Sequence, residues 1–171
     1  TYFKVLAKNN YDVDSVTIVV PKKNGINSTR NFNEKIQERL LKDSTNELSF
    51  MNYETRTPKV FRVGARVIQK NVNDYERDVM NGEIGIIKAI DKEYCTISFD
   101  NGAKIVRMPN DNMRHMELAY AITVHSMQGS ECKNVIIVLD NSHHILLDCA
   151  LFYTAVTRAR ENCYLIMEMG A

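Results

Sequence analysis

Residues 119–140 read AYAITVHSMQGSECKNVIIVLD, a cluster of polar groups running straight into an apolar stretch. The second half decides the fold class. NVIIVLD is a short, continuous, β-branched run, the pattern of a strand covered on both faces, and such strands belong to parallel sheets. Downstream, LLDCALFYTAVTRAR (residues 146–160) places Leu147, Leu151 and Ala155 at i, i+4 intervals, with Phe152 and Val156 beside them. That spacing predicts a helix with one apolar face. NCYLIME then gives another apolar strand. Strand, helix, strand at this length is a right-handed parallel crossover in nearly all cases. Upstream the same grammar recurs. SVTIVVP (residues 15–21) predicts a buried strand closed by Pro21, KKNGINST a polar turn, and STRNFNEKIQERLLKD a helix. Ser28 or Thr29 suits its N-cap, and Phe32, Ile36, Leu40 and Leu41 form its stripe.

Between these α/β segments the pattern changes. From residue 55 to 116 helical periodicity is absent, and KVFRVGARVIQK, GEIGIIKAID, YCTISFD and AKIVRMP read as short strands between turns. Asp100-Asn101-Gly102 is a tight hairpin signal, and Gly64, Gly82 and Gly85 sit where a small, sharply curved barrel needs backbone freedom. The expected organisation is an α/β domain with a parallel sheet and helices, interrupted by an inserted small SH3-like or OB-like β-barrel. The expected boundaries are 1–54 for its first part, 55–116 for the barrel and 117–171 for its second part.

Composition sets bounds. The chain has 171 residues with 44% hydrophobic content, enough for a real core, and a formal net charge of +1 excludes the global basic field of a DNA-coating protein. No apolar run approaches the roughly 20 residues of a membrane span. The 4 cysteines form no C-x-x-C pair and read as thiols of a reducing cytoplasm, the expected location. The chain opens at Thr1, already inside a domain pattern, as a piece of a longer protein would.

Within the opening stretch, Gly129 allows a backbone to approach a phosphate, and Glu131 can accept hydrogen bonds from ribose hydroxyls. Thr123 and His125 can donate to a phosphate backbone. A polar loop ahead of a strand would use the same residues, and spacing alone leaves both readings open. Arg158 has the planar fork that matches phosphate oxygens, although taken alone it reads more simply as an exposed Arg near a helix C-terminus.

Together, AYAITVHSMQGSE, an apolar strand and LFYTAVTRAR resemble motifs V and VI of superfamily 1 helicases, above all the RecD-like group of 5′-to-3′ DNA helicases. FRVGARVIQKNVNDY and NGEIGII resemble the opening of the SH3-like barrel inserted in that group's second motor domain, and VVPKKNGINSTRNFNEKIQERL is similar to its motif IV region. The wording Gly-Ser-Glu and Val-Thr-Arg-Ala favours RecD over Pif1-type relatives.

The resemblance implies a RecA-like (P-loop NTPase type) α/β parallel sheet with helices, carrying an inserted small SH3-like β-barrel, and it implies that Arg158 is an arginine finger for the γ-phosphoryl group. It implies that Gly129 and Glu131 approach the nucleotide, with Gln128 between the ligands, and that Thr123 and His125 face single-stranded DNA. Lys22, Lys23 and Thr29 are further candidates for DNA backbone contacts. Asn73, Tyr75 and Arg77 of the barrel are candidates for a place near the displaced or translocating strand, although an ordinary solvated loop is the favoured reading. Two residues depart from the family: Ser126 and Met127 stand where it usually has Lys-Ser, removing a cation from the turn. Gly64-Ala65-Arg66 stands for its Gly-Asp-Arg.

G-x-x-x-x-G-K-[ST] is absent, so the expected ATP and Mg2+ are held mostly by a first RecA-like motor domain that these residues do not supply. The chain alone is accordingly expected neither to hydrolyse ATP nor to unwind DNA. The implied partners are single-stranded DNA, duplex junctions, that N-terminal motor domain and, as an open question, a nuclease complex; no membrane is implied. Metal ligation by the chain itself is not expected, and His143-His144 reads as loop. The rival readings are a non-catalytic nucleic-acid-binding module built on a motor-like scaffold, and a degenerate motor domain serving as a protein scaffold.

Overall fold

The computed structural model describes residues 1–52, 56–127, 131–139 and 149–167. In chain order it gives α1 (Tyr2–Lys8), β1 (Val16–Val19), α2 (Thr29–Leu40), β2 (Glu47–Asn52), β3 (Thr57–Arg62), β4 (Arg66–Gln69) and β5 (Ile84–Ile90). There follow β6 (Tyr94–Phe99), β7 (Lys104–Pro109), β8 (Met116–Leu118), β9 (Ala121–Ile122), β10 (Cys132–Leu139), α3 (Cys149–Val156) and β11 (Ala159–Met167). Two compact units result, Thr1–Glu34 with Tyr120–Ala171, and Lys35–Ala119.

The first unit is built on a parallel sheet of order β11-β10-β1-β9. All four residues of β1 are buried, and β10 is buried from Asn134 to Leu139, which is why both read as continuous apolar runs. Val16, Ile18, Val19, Val135, Ile136 and Ile137 form the sheet's apolar body, each worth about 1.5–3 kcal/mol on full burial. The chain order and parallel pairing give the RecA-like α/β architecture expected from the sequence.

Strand β9 is only two residues long, and a side chain holds its outer edge. Tyr120 and Ile122 give their carbonyls to Ile18 and Val20 of the β1 segment, at 2.9 and 3.1 Å. Ala121 therefore faces away from β1, and there the buried Asn33 carboxamide receives its N–H at 2.7 Å and donates to its carbonyl at 2.8 Å. The amide thus stands in for another strand.

This alters the expected stripe of α2. Asn33, Ile36 and Gln37 are buried, while Phe32 and Leu40 are only partly so. Polar amides take positions in the buried face because each meets unpaired backbone. Ser28 is the N-cap: its hydroxyl accepts the Asn31 N–H at 3.3 Å.

The second unit holds an antiparallel sheet of order β7-β6-β5-β4-β8 and the separate hairpin β2-β3. It extends from Lys35, whereas the sequence pattern suggested a start at residue 55. The difference comes from β2, whose six residues pair antiparallel with β3 and so bring the segment into this unit. The stretch read as one strand, KVFRVGARVIQK, divides at Gly64, which takes φ +90°. Gly85 serves another purpose: a Cβ there would stand 2.8 Å from Ile97 Cγ2, Phe99 Cδ1 and the Ser98 carbonyl. Asp100, Asn101 and Gly102 all have positive φ in the turn joining β6 to β7. Phe61, Val67, Ile87, Ile97, Phe99 and Met113 are among the core of this unit.

Helix α3 ends at Val156, earlier than the periodicity suggested. Thr157 returns its hydroxyl to the Thr154 carbonyl at 3.1 Å, and the Arg158 N–H reaches Ala155 O at 3.3 Å. The Arg158 carbonyl then accepts from Cys132 N at 3.0 Å, so the chain has entered the sheet by that residue. Leu147 lies outside the described residues, as do the side chain of Leu151 and the pair His143-His144. Among the described residues no helix is long and apolar enough to cross a membrane.

Candidate functional site

The sequence reads residues 123–131 as one turn between two ligands, but the parallel sheet places the two ends of that stretch apart. Val19 lies opposite Ile122, so the segments leaving β1 and β9 emerge together at the carboxyl ends of those strands. Lys22, Lys23, Thr29, Thr123 and His125 belong to this end. Glu131 and Arg158 immediately precede the paired residues Cys132 and Ala159, at the amino ends of β10 and β11. Val19 is in register with Ile137, five residues beyond Cys132. At about 3.3 Å per residue the two ends are roughly 15–20 Å apart.

At the carboxyl end, Thr123 acts as the cap of a single 3-10 turn at His125–Met127. Its hydroxyl lies 2.8 Å from the Ser126 hydroxyl and accepts the Ser126 N–H at 3.4 Å, while its carbonyl accepts the Met127 N–H at 3.2 Å. Ser126 and Met127 thereby have a physical account. Ser126 supplies the hydroxyl that closes the turn, and Met127 is buried at 1% exposure in the unit's core. His125 projects to solvent.

The neighbouring loop from Lys22 to Ser28 is fastened at several points. Thr29 N donates to Lys22 O at 3.1 Å, Arg30 N to Lys23 O at 3.3 Å, and the Ser28 hydroxyl to Gly25 O at 2.7 Å. The Asn31 carboxamide also donates to the Ile26 carbonyl. The N–H groups of Thr29, Arg30 and Asn31 are thus all engaged within the protein, the last with Ser28. An anion at this end would meet side chains rather than the bare N–H groups of a helix N-terminus.

At the amino end, Glu131 and Arg158 flank one backbone junction. Arg158 is half-buried, its Nη2 is 3.5 Å from the Thr157 hydroxyl, and its Nε is buried without a partner among the described residues. A buried guanidinium N–H left unpaired is costly, and a phosphate oxygen is a suitable acceptor for it. Glu131 is exposed and accepts from Arg160 Nε at 2.7 Å. Arg160 was not among the candidates from sequence: it ends the stretch predicted there as a helix, and only the β10–β11 register brings it to Glu131. Gln128 and Gly129 lie outside the described residues.

Three candidates in the second unit are occupied within the protein. Asn73 donates to the Tyr75 hydroxyl at 3.0 Å and accepts the Asn81 N–H at 2.8 Å. Arg77 is paired with Asp74 at 3.1 Å, and hydrogen bonding to that carboxylate raises its pKa above the usual guanidinium value. Ala65, where the resembling family has Asp, is fully buried, a place where a carboxylate would need a partner. Among the described residues no group of three or more His, Cys, Asp or Glu side chains could hold a metal ion.

The chain thus combines a parallel α/β unit, with Glu131 and Arg158 at the amino ends of two of its strands, and a small antiparallel unit. Residues 118–166 match the UvrD-like helicase C-terminal domain. Residues 32–100 match the SH3 domain of ATP-dependent RecD-like DNA helicases. Over these two stretches the chain is similar to the RecD-like helicases, the group its motifs resemble.

Two relatives illustrate the similarity. The chain is 36% identical over 103 residues to the ATP-dependent RecD2 DNA helicase of Deinococcus radiodurans, covering 60% of this chain and 14% of that protein. It is 29% identical over 144 residues to the RecBCD enzyme subunit RecD of Buchnera aphidicola subsp. Schizaphis graminum, covering 82% of this chain and 23% of that protein. The chain therefore spans less than a quarter of either relative. In fold it is similar to the Bacteroides Pif1 helicase solved in complex with ADP-AlF3 and single-stranded DNA. That match has a TM-score of 0.58 at 22% identity, over 93% of this chain and 41% of that one.

Proposed function

We propose that this chain is the second motor domain of an ATP-dependent 5′-to-3′ DNA helicase, with its two sheet ends serving two ligands. The amino end of β10 and β11 faces nucleotide. Arg158 is its arginine finger, Glu131 meets the ribose, and Gly129 and Gln128 lie along the same motif. The carboxyl end of β1 and β9 faces single-stranded DNA through His125, Lys22 and Lys23, with Thr123 and Thr29 shaping the two turns. The observation that carries this reading is the buried Nε of Arg158, without a partner among the described residues, at the backbone junction that Glu131 adjoins.

The relatives' names support an ATP-dependent DNA helicase, and the Pif1 complex supports nucleotide and single-stranded DNA as the ligand pair. ATP supplies the phosphoryl group whose transfer drives the cycle. This chain's donor set, the Arg158 guanidinium and the Glu131 carboxylate, suits the phosphate and ribose of ATP, and Mg2+ is assigned to the first motor domain. Residues 35–119 form the barrel unit that guides or separates strands, in a protein that acts on duplex junctions alone or with a nuclease.

In the full-length protein, Arg158→Ala abolishes DNA-stimulated ATP turnover, by about 10³-fold or more, while single-stranded DNA affinity stays within about twofold. Steady-state ATPase and fluorescence anisotropy measure the two quantities. ATP turnover that survives the substitution removes the finger assignment.

A further inference from the structure

Two ion pairs join the segments of β10 and β11 at their amino ends. One is Lys133 with Glu161 at 3.6 Å, and the other is Glu131 with Arg160 at 2.7 Å. They differ in what they hold. Lys133 and Glu161 both lie within their strands, whereas Glu131 stands just before β10, adjoining the junction at which Cys132 N donates to the Arg158 carbonyl. Arg160 takes Oε2 of Glu131, and Oε1 makes no hydrogen bond among the described residues. One carboxylate oxygen is thus fastened and the other left for a donor, at the backbone junction with Arg158, whose Nε has no partner among the described residues.

We infer that Arg160 is a positioning residue for the nucleotide site: it holds the Glu131 carboxylate in one orientation, so that the second oxygen meets the ribose hydroxyls while Arg158 meets phosphate. The inference rests on the nucleotide reading of Glu131 and Arg158. An unheld glutamate on a surface turn samples several rotamers and loses their entropy when it binds. A side chain fixed by a neighbour has already done so, which favours binding without touching the chemical step. Both partners are well exposed, so the coupling is modest, in the range of a solvent-screened pair.

The test uses full-length protein with single-stranded DNA present. Arg160→Gln raises the KM for ATP about 3- to 5-fold with kcat unchanged within about twofold. It also lowers the preference for ATP over 2′-deoxy- and 3′-deoxy-ATP, read as a ratio of kcat/KM values, by a similar factor. Arg160→Lys, which keeps a cation within reach of Glu131, retains most of that preference. Lys133→Gln breaks the neighbouring pair on the same two strands and moves neither quantity.

If Arg160→Gln behaves like Lys133→Gln, Arg160 belongs to an ordinary cross-strand surface pair and the inference is overturned. Should Arg160→Gln fail to fold, Arg160→Met keeps the apolar stem, and equilibrium binding of ATP and its deoxy analogues reads the same preference; an unchanged ratio there also overturns it. The nucleotide reading fails separately, by ATP turnover in Arg158→Ala.

Discussion

Asn33 shows what one side chain can do for this fold. Its carboxamide makes both hydrogen bonds that a neighbouring strand would make to Ala121, in a buried place. Asn33→Ala strands a buried N–H and C=O, at about 1–3 kcal/mol for each group left unpaired. We expect a loss of about 2–4 kcal/mol in denaturant unfolding, with weaker single-stranded DNA binding because β9 leads directly into the Thr123 turn. A wild-type midpoint in Asn33→Ala would contradict this. Gly85 is the counterpart in the second unit. A methyl group there meets two side chains and a carbonyl at 2.8 Å, and since the carbonyl belongs to the β6 backbone it has little room to yield. Gly85→Ala should cost about 1–3 kcal/mol by the same measurement. Neither effect was legible in sequence. Asn33 has no role in the sequence pattern, and Gly85 reads there as backbone freedom for a curved barrel, because the partners of both lie farther along the chain.

Among elements, legibility followed length and coverage. β1 and β10 are continuous apolar runs because the sheet covers both faces, and they were readable at once. The end of α3 was not, since its last turn closes through Thr157 and Arg158, residues that a periodicity continues through. β9 is too short to have a period, and β2, with Leu48 and Phe50 alternating, went unread beside stronger signals.

The turn between β5 and β6 illustrates an element held by one residue. Asp91 accepts from the N–H of Glu93 at 2.9 Å and of Tyr94 at 2.7 Å, and Arg107 lies 3.3 Å from its other oxygen. The two backbone N–H groups, first that of Glu93, hold its carboxyl below the ordinary carboxylate range, with Arg107 adding to them. A folded value below the unfolded one gives stability that is present above the unfolded value, about 3.9, and is lost as pH falls through the folded value. Asp91→Asn removes the ionisation. The gap in melting temperature between wild type and Asp91→Asn should therefore be largest near neutral pH and shrink under acid. A gap independent of pH would mean that the charge contributes nothing to the turn.

At the scale of the whole molecule, each unit carries its own core. The first is centred on Val16, Ile18, Val19 and Val135 to Ile137, and the second on Phe61, Ile87, Ile97 and Phe99. Ile97→Ala should cost the second unit about 2–5 kcal/mol, and hydrogen exchange should show protection lost in β5, β6 and β7 but kept in β1 and β10. Uniform loss across both units would show that they unfold as one. The α/β grammar and the inserted barrel were legible because such cores impose different periods on the sequence. The division of the candidate site between two sheet ends was not, because residues 123 and 131 are neighbours in sequence and only the parallel pairing of β9, β1 and β10 separates them.

That division is the central claim, and one titration tests it. DNA-stimulated ATPase is measured against single-stranded DNA concentration for full-length wild type, Arg158→Ala and the double variant Lys22→Ala/Lys23→Ala. With the two ends serving two ligands, Arg158→Ala stays flat at every DNA concentration. The lysine variant reaches the wild-type plateau but needs several-fold more DNA, with a shallower salt dependence because phosphate contacts are lost. An Arg158→Ala protein that reaches the wild-type plateau, or a lysine variant that lowers the plateau without shifting the midpoint, would contradict it.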